Sequence, residues 1–243
     1  MTQLRIHSIE TLGANDGPGL RMVVFTQGCL MRCVYCHNPD TLDPQGGQLV
    51  EIDELVQRAL RQKNYFGKNG GVTVSGGEPS LHRVVLAEFF RRLHAHGIHT
   101  CLDTNGLFLD DELRALYAET DLVLLDIKHI DDEHHRRLTG VSNATPLAVA
   151  DFRERSGQPM WLRYVLVPGW SDQPEFLEKW ARHFAAFRMV ERVEILPYHS
   201  LGAHKWRHLG LSYALEGISP PSAAAKQQAL DIFSRHLPKV ILR

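Results

Sequence analysis

Three of the four cysteines crowd into one short stretch, as Cys29, Cys33 and Cys36, while Cys101 stands alone. Thiolates in a CxxxCxxC spacing can wrap one compact centre, but three ligands are one short of the four that close a structural zinc site or saturate an iron–sulfur cluster. The pattern predicts a metal centre with an open position. A [4Fe–4S] cube held this way keeps one iron without a protein ligand, and that iron can bind a substrate. Spacing leaves two alternatives. One is zinc with His37 as fourth ligand, although His37 directly follows Cys36 and adjacent residues in a tight loop rarely face one tetrahedral metal together. The other is a disulfide, which needs an oxidising compartment. Leu30, Met31, Val34 and Tyr35 between the ligands suit a cluster shielded from water. Cys101, in an apolar run, reads as a small buried hydrophobe.

The elements that must position this loop follow from periodicity. Runs rich in β-branched residues or leucine predict strands at Met22–Thr26, Val72–Ser75, His99–Asp103, Leu122–Ile127, Trp161–Val167 and Val193–Leu196. Apolar residues three and four apart predict helices over Ile52–Gln62, Leu81–His96, Asp110–Tyr117, Pro146–Arg155, Pro174–Phe187 and Ala223–His236. Asp110 and either Ser171 or Asp172 are expected N-caps, and Gly97 an expected C′ residue. Strands apolar on both faces and separated by helices predict an α/β fold, a partial (β/α)6 TIM-like barrel. With no repeat or linker, residues 1–243 read as a single domain. In such sheets ligands bind beyond the carboxyl ends of the strands. Those ends carry Gly76-Gly77-Glu78, Asp103-Thr104, Asp126-Ile127-Lys128 and His199.

Composition narrows the function classes. Twenty-seven basic against 28 acidic residues give a net charge of −1, which offers no footprint for nucleic acid or an anionic membrane. No apolar run reaches the roughly 18 residues of a membrane span, and Met1-Thr2-Gln3-Leu4-Arg5 lacks a secretion-signal pattern. A cytoplasmic location, with reduced thiols, is expected.

CxxxCxxC after a first strand, followed by Gly76-Gly77-Glu78-Pro79, resembles the radical S-adenosylmethionine superfamily. Within it, Asp16-Gly17-Pro18-Gly19, Gln27-Gly28-Cys29-Leu30-Met31-Arg32-Cys33, Tyr35-Cys36-His37-Asn38, Gly97 through Gly106, Val167 through Asp172 and His204-Lys205-Trp206 are similar to the pyruvate formate-lyase activating enzymes. The resemblance runs along essentially the whole chain. It implies a [4Fe–4S] cluster on Cys29, Cys33 and Cys36, whose open iron chelates the amino and carboxylate groups of S-adenosylmethionine. It implies that Gly76, Gly77 and Glu78 meet the methionine amino group, with the two glycines letting backbone approach it. Asp103, Thr104 and Asp126 would help bind a monovalent cation beside the methionine carboxylate, and Lys128, Arg163, His199, Tyr35, Cys36, His37 and Asn38 would contact the cofactor.

The resemblance further implies reductive cleavage of S-adenosylmethionine under anaerobic conditions and abstraction of a glycine Cα hydrogen in pyruvate formate-lyase. Reduced flavodoxin or ferredoxin would supply the electron to a monomeric enzyme. Asp16, in a flexible turn before the first barrel strand, would touch the partner's glycine loop. Each assignment has a plainer reading: Gly-Gly and Asp-Gly-Pro-Gly mark ordinary turns, and aspartates at strand ends form simple salt bridges. Trp206 reads equally as core or lid. Competing functions are an activase of another glycyl radical enzyme, disfavoured by the absence of further cysteines, and a non-catalytic iron–sulfur redox sensor.

Overall fold

A computed structural model describes residues 2–243. The chain falls into two compact units, one running through Leu30 and resuming over Thr41–Leu124, the other formed by Met31–Asp40 and Leu125–Arg243.

The first unit holds β1 (Gln3–Gly13), β2 (Arg21–Thr26), β3 (Gln48–Glu51), α1 (Ile52–Phe66), β4 (Gly71–Gly76), α2 (Arg83–Ala95), β5 (His99–Thr104) and α3 (Asp111–Ala118). Its strands are ordered β3-β1-β2-β4-β5. β2, β4 and β5 run parallel, while β1 pairs antiparallel with both β2 and β3. Met22, Val23 and Val24 are all fully buried, as a strand covered on both faces requires. β1 escapes the period-2 pattern because its pairing with β2 shifts register between Ile6 and Ser8 and between Glu10 and Gly13. The α2 stop matches expectation: Gly97 has φ +64°, its N–H donates to His94 O at 2.8 Å, and Ile98 N donates to Leu93 O at 3.1 Å. Those two bonds make a Schellman motif. Asp110 caps α3 by accepting from Leu113 N at 2.8 Å.

The division between units falls within β6 (Leu122–Asp126). The second unit then carries α4 (Asp132–Thr139), α5 (Ala144–Arg155), β7 (Met160–Leu166), α6 (Pro174–Phe184), β8 (Val190–Pro197), α7 (Ala203–His208), α8 (Ala223–Ser234) and β9 (Val240–Leu242). β7, β8 and β9 pair in parallel in that order. Against them pack Trp180 and Phe233, stacked at 4.8 Å, with Tyr164 edge-on to both. One expected cap is corrected: α6 starts after Gln173 with Pro174 in its first turn. Ser171 instead donates to Val165 O and accepts from Val167 N, and Asp172 accepts from Gly169 N. Both side chains close the Pro168-Gly169 turn, where the free backbone groups are nearer.

Several histidines are buried as neutral rings, which gives the fold an acid limit. His129 is fully buried, and burial lowers its pKa from 6.5 to about 4. Burial also lowers His37, His82 and His135. A depressed histidine binds its proton more readily when unfolded, so this stability is complete above pH 6.5 and is lost as pH falls towards 4. The slope is about 1.4 kcal/mol per pH unit for each fully shifted group. Urea midpoints measured from pH 8 to pH 4 should therefore fall through this window. His129→Gln should make the decline shallower; an unchanged slope would remove His129 as a source.

Candidate metal and cofactor site

In the first unit the site begins where β2 ends. Gly28 N donates to Thr41 O at 2.8 Å, and Cys29 N to Leu42 O at 3.3 Å. The Gly28 carbonyl accepts from Glu78 N at 2.7 Å. Glu78 is fully buried, and its carboxylate accepts from Ser80 N at 2.9 Å, Thr104 Oγ1 at 2.6 Å and Asn105 N at 2.8 Å. Burial pushes this carboxyl up, while the donors favour its anion. Glu78 thus joins the loop after β4 to the loop after β5. Asn105 Nδ2 in turn reaches Cys29 Sγ at 3.7 Å, a hydrogen bond of the kind that orients and tunes a metal thiolate.

Gly76 and Gly77 acquire a concrete reason. A Cβ at Gly76 would lie 2.3 Å from Thr26 N, and one at Gly77 would lie 2.2 Å from Gly28 O. The close approach that forbids side chains here is that of the protein's own backbone. Asp103 Oδ2 accepts from Ser75 Oγ at 2.7 Å. The Asp16 turn is tied down rather than loose: the Asp16 carbonyl accepts from Thr73 Oγ1 at 2.5 Å, and buried Arg21 donates to Thr73 Oγ1 at 2.5 Å and to Pro18 O at 3.0 Å. Cys101 is fully buried, as expected of a core residue.

The second unit holds Cys33 and Cys36. Backbone of their loop is sewn to the end of α4, with Arg32 N donating to Thr139 O at 2.8 Å and Val34 N to Leu138 O at 2.9 Å. Cys36 N donates to Cys33 O at 3.0 Å. Burial raises the Cys33 thiol to about 11 and raises Cys36 as well, with the Lys128 charge opposing the rise. Lys128 is buried, donates to Asp126 Oδ2 at 2.7 Å and lies 5.5 Å from the Tyr35 ring centroid. Burial opposes its charge, but Asp126 holds its pKa well above the usual lysine value. The buried Tyr35 hydroxyl has no protein partner.

His37 Nε2 donates to the His199 carbonyl at 3.0 Å, and the two rings stack at 4.1 Å. His199 Nδ1 is a buried nitrogen without a partner. Asn38 Oδ1 accepts from Lys205 Nζ at 2.9 Å. Arg163 Nε pairs with fully buried Glu194 at 3.1 Å, and Glu194 also accepts from Arg243 Nη2 at 2.6 Å. Sequence reasoning assigned no function to Asn105, Ser75, Glu194 or Lys205. Asn105 was the most accessible of these, since it directly follows the Asp103-Thr104 strand end.

The donor set fits an iron–sulfur cluster. None of the four cysteines is spent in a disulfide, and three of them stand in the CxxxCxxC spacing with shielding apolar neighbours. A bound metal displaces the proton that burial otherwise holds on the Cys33 and Cys36 thiols. Zinc through His37 fits less well. Tetrahedral zinc needs its donors roughly 3 to 4 Å apart, given bonds of about 2.0–2.3 Å. Among the described residues, Cys33, Cys36 and His37 do not gather donor atoms within 4.8 Å; the trio that does is His129, Asp131 and His134. There Asp131 Oδ1 is occupied as the α4 cap, accepting from His134 N and pairing with His134 Nδ1, so the trio reads as a helix start.

Comparison with known proteins agrees with this donor set. The Radical SAM superfamily profile matches residues 23–181. The chain is 47% identical over 237 residues to the pyruvate formate-lyase-activating enzyme of Staphylococcus epidermidis, covering 94% of each chain. The Staphylococcus aureus (strain USA300) enzyme of the same name gives the same identity and coverage. A crystallised domain of pyruvate-formate lyase-activating enzyme from Bacteroides vulgatus aligns with 26% identity and a TM-score of 0.61, covering 72% of this chain and 99% of that one. Streptococcus suis SuiB, at 12% identity and a TM-score of 0.72, covers 93% of this chain and 49% of its own, and shares the fold. The mixed α/β architecture with a parallel sheet is therefore the radical SAM type, and the chain belongs to the pyruvate formate-lyase-activating enzymes of the Radical SAM superfamily.

Proposed function

We propose that this protein installs a glycyl radical on pyruvate formate-lyase. The observation that carries the reading is the set of three thiols, none in a disulfide, in a CxxxCxxC loop, within a chain 47% identical to curated activases over 94% of its length. When bound, the [4Fe–4S] cluster supplies one electron to the S-adenosylmethionine sulfonium, which splits to methionine and a 5′-deoxyadenosyl radical that takes a glycine Cα hydrogen. Glycine suits this step because no side chain obstructs the approach.

The chain's own residues prepare the rest. Cys29, Cys33 and Cys36 would hold the cluster. Asp103, Thr104 and Asp126 bind a monovalent cation beside the methionine carboxylate, with Lys128 supplying fixed positive charge there. His199, whose Nδ1 is buried and unpartnered, accommodates the sugar and base, supported by His37, Tyr35, Asn38 and Arg163. Gly76 and Gly77 present backbone groups to the methionine amine, and Glu78 holds their loop in place. Apolar surroundings exclude water from a radical that would otherwise react with it.

Reduced flavodoxin or ferredoxin serves as electron donor. The protein works as a cytoplasmic monomer and as a single radical SAM domain spanning residues 1–243. Among the described residues no helix is long and apolar enough to cross a membrane.

Anaerobic incubation of reconstituted, dithionite-reduced protein with S-adenosylmethionine should yield 5′-deoxyadenosine. Its formation should accelerate when pyruvate formate-lyase is added but not when another glycyl radical enzyme is added. Acceleration by a different glycyl radical enzyme alone would reassign the partner, and no cleavage at all would favour a redox sensor. Asp16 adds a separable test. Asp16→Ala should lower activation of the partner about tenfold, the worth of one charge-assisted hydrogen bond, while partner-independent cleavage stays unchanged. Activation equal to wild type would remove Asp16 from the interface.

A further inference from the structure

Two residues of α7, a six-residue helix far along the chain, reach the cysteine loop. Trp206 Nε1 donates to the Cys36 carbonyl at 2.8 Å. The neighbouring Lys205 Nζ donates to Asn38 Oδ1 at 2.9 Å and to both Asp40 oxygens at 2.9 and 3.2 Å. Gly202, just before α7, lies so close that a Cβ there would come within 2.7 Å of His37 Cα. The loop is thus tied at Cys36, Asn38 and Asp40 from α7, and at Arg32 and Val34 from α4. Every one of these ties uses a backbone group or a non-cysteine side chain, so none competes with a metal for Cys33 or Cys36 sulfur.

The anchor behind the ties is apolar. Trp206 and Ala203 pack with Tyr35, Leu138, Val167, Tyr198, Tyr213 and Leu215 in one cluster, and Tyr198 and Tyr213 join their hydroxyls at 2.9 Å. Cys33 and Val34 pack against the same cluster.

We propose that α7 is a buckle that shapes the cysteine loop before metal arrives, with Trp206 and Lys205 as positioning residues for Cys36. A free loop with this many glycine-poor, rotatable residues would sample many thiol arrangements, and ordering it would have to be supplied by the metal itself. Here the ordering is built into the fold, as a rigid support for metal ligands requires. The proposal rests on the reading that Cys36 is a cluster ligand, but its physical content, a preorganised apo loop, is measurable without any cluster.

The test is thiol labelling of the metal-free protein, followed by mass spectrometry of the modified cysteines. Trp206→Phe keeps the ring and removes the N–H; Lys205→Met keeps the stem and removes the charge. Each variant should label Cys36 about tenfold faster than wild type, the equivalent of one hydrogen bond or about 1.4 kcal/mol. Cys29 labelling should stay close to wild type, and the urea midpoint should fall by no more than the worth of that one bond. After reconstitution, both variants should also surrender iron to a chelator about tenfold faster. Unchanged Cys36 labelling in both variants, with folding intact, would overturn the buckle. Should Trp206→Phe unfold, Lys205→Met decides alone. Failure of wild type itself to take up iron would instead overturn the ligand assignment, and the labelling rates would still report on the buckle.

Discussion

Alanine at Cys29, Cys33 or Cys36 should each abolish glycyl radical formation completely, together with the cluster's absorption and most bound iron. With three thiolates and one open position, removing a ligand leaves two, too few to retain a cube against a competing chelator. The apo fold should survive, because each side chain is small and Cys33 and Cys36 are only half-buried. Cys101→Ala provides the matched control. Its thiol is fully buried in β5 and packs against the Asp16 turn, so truncation should cost about 1 kcal/mol of stability through lost packing and leave iron content unchanged. Iron content measured across the four variants checks the assignment. Loss of iron in Cys101→Ala, or retention in any of the other three, would mean that the ligand set is wrong.

Glu78→Ala should cost the fold several kcal/mol of stability. Three donors converge on one buried carboxylate, and removing it leaves Ser80 N, Asn105 N and the Thr104 hydroxyl without an acceptor in a site closed to water. At about 1–3 kcal/mol for each buried group left unsatisfied, the variant should lose roughly 3 kcal/mol or more. For a chain of this size that lowers Tm by roughly 6–12 °C. Glu78→Gln should lose less, because its carbonyl retains one acceptor while its NH2 faces a donor. Scanning calorimetry distinguishes this from a cofactor contact. A glutamate whose work is to bind S-adenosylmethionine would raise KM for it and leave Tm untouched; a brace between strand-end loops lowers Tm in the apo protein.

Much of the architecture was legible because strands and helices here carry strong patterns. β2, β4, β5, β6, β7 and β8 are apolar runs bounded by turn residues, and each lies within three residues of its expected ends. What stayed hidden were elements whose residues do not alternate cleanly. β1 is bulged, and β3 and β9 are four and three residues long. α4 reads Asp-Glu-His-His-Arg-Arg-Leu-Thr, mostly polar, and buries His135, Leu138 and Thr139.

The site was legible in a different way. Spacing singled out the cysteines, and strand-end position singled out Glu78, Asp103, Asp126 and His199. Partners could not be read from either. That Glu78 braces Thr104 and Asn105, that Arg163 answers to Glu194, and that Trp206 holds the Cys36 carbonyl all depend on pairs 26, 31 and 170 residues apart. Such pairs exist only once the sheet is assembled. Trp206 could be read two ways for the same reason: its half-buried ring packs against the apolar cluster of the second unit, and its N–H holds the Cys36 carbonyl.

The central claim is that this chain makes a glycyl radical on pyruvate formate-lyase, and one spectrum tests it most directly. The reconstituted protein, dithionite, S-adenosylmethionine and purified pyruvate formate-lyase are combined without oxygen and frozen for electron paramagnetic resonance. The predicted result is a glycyl doublet on the partner that collapses to a singlet when its target glycine carries deuterium at Cα, and that is absent with Cys36→Ala. Cleavage of S-adenosylmethionine with no protein radical on the partner would contradict the account.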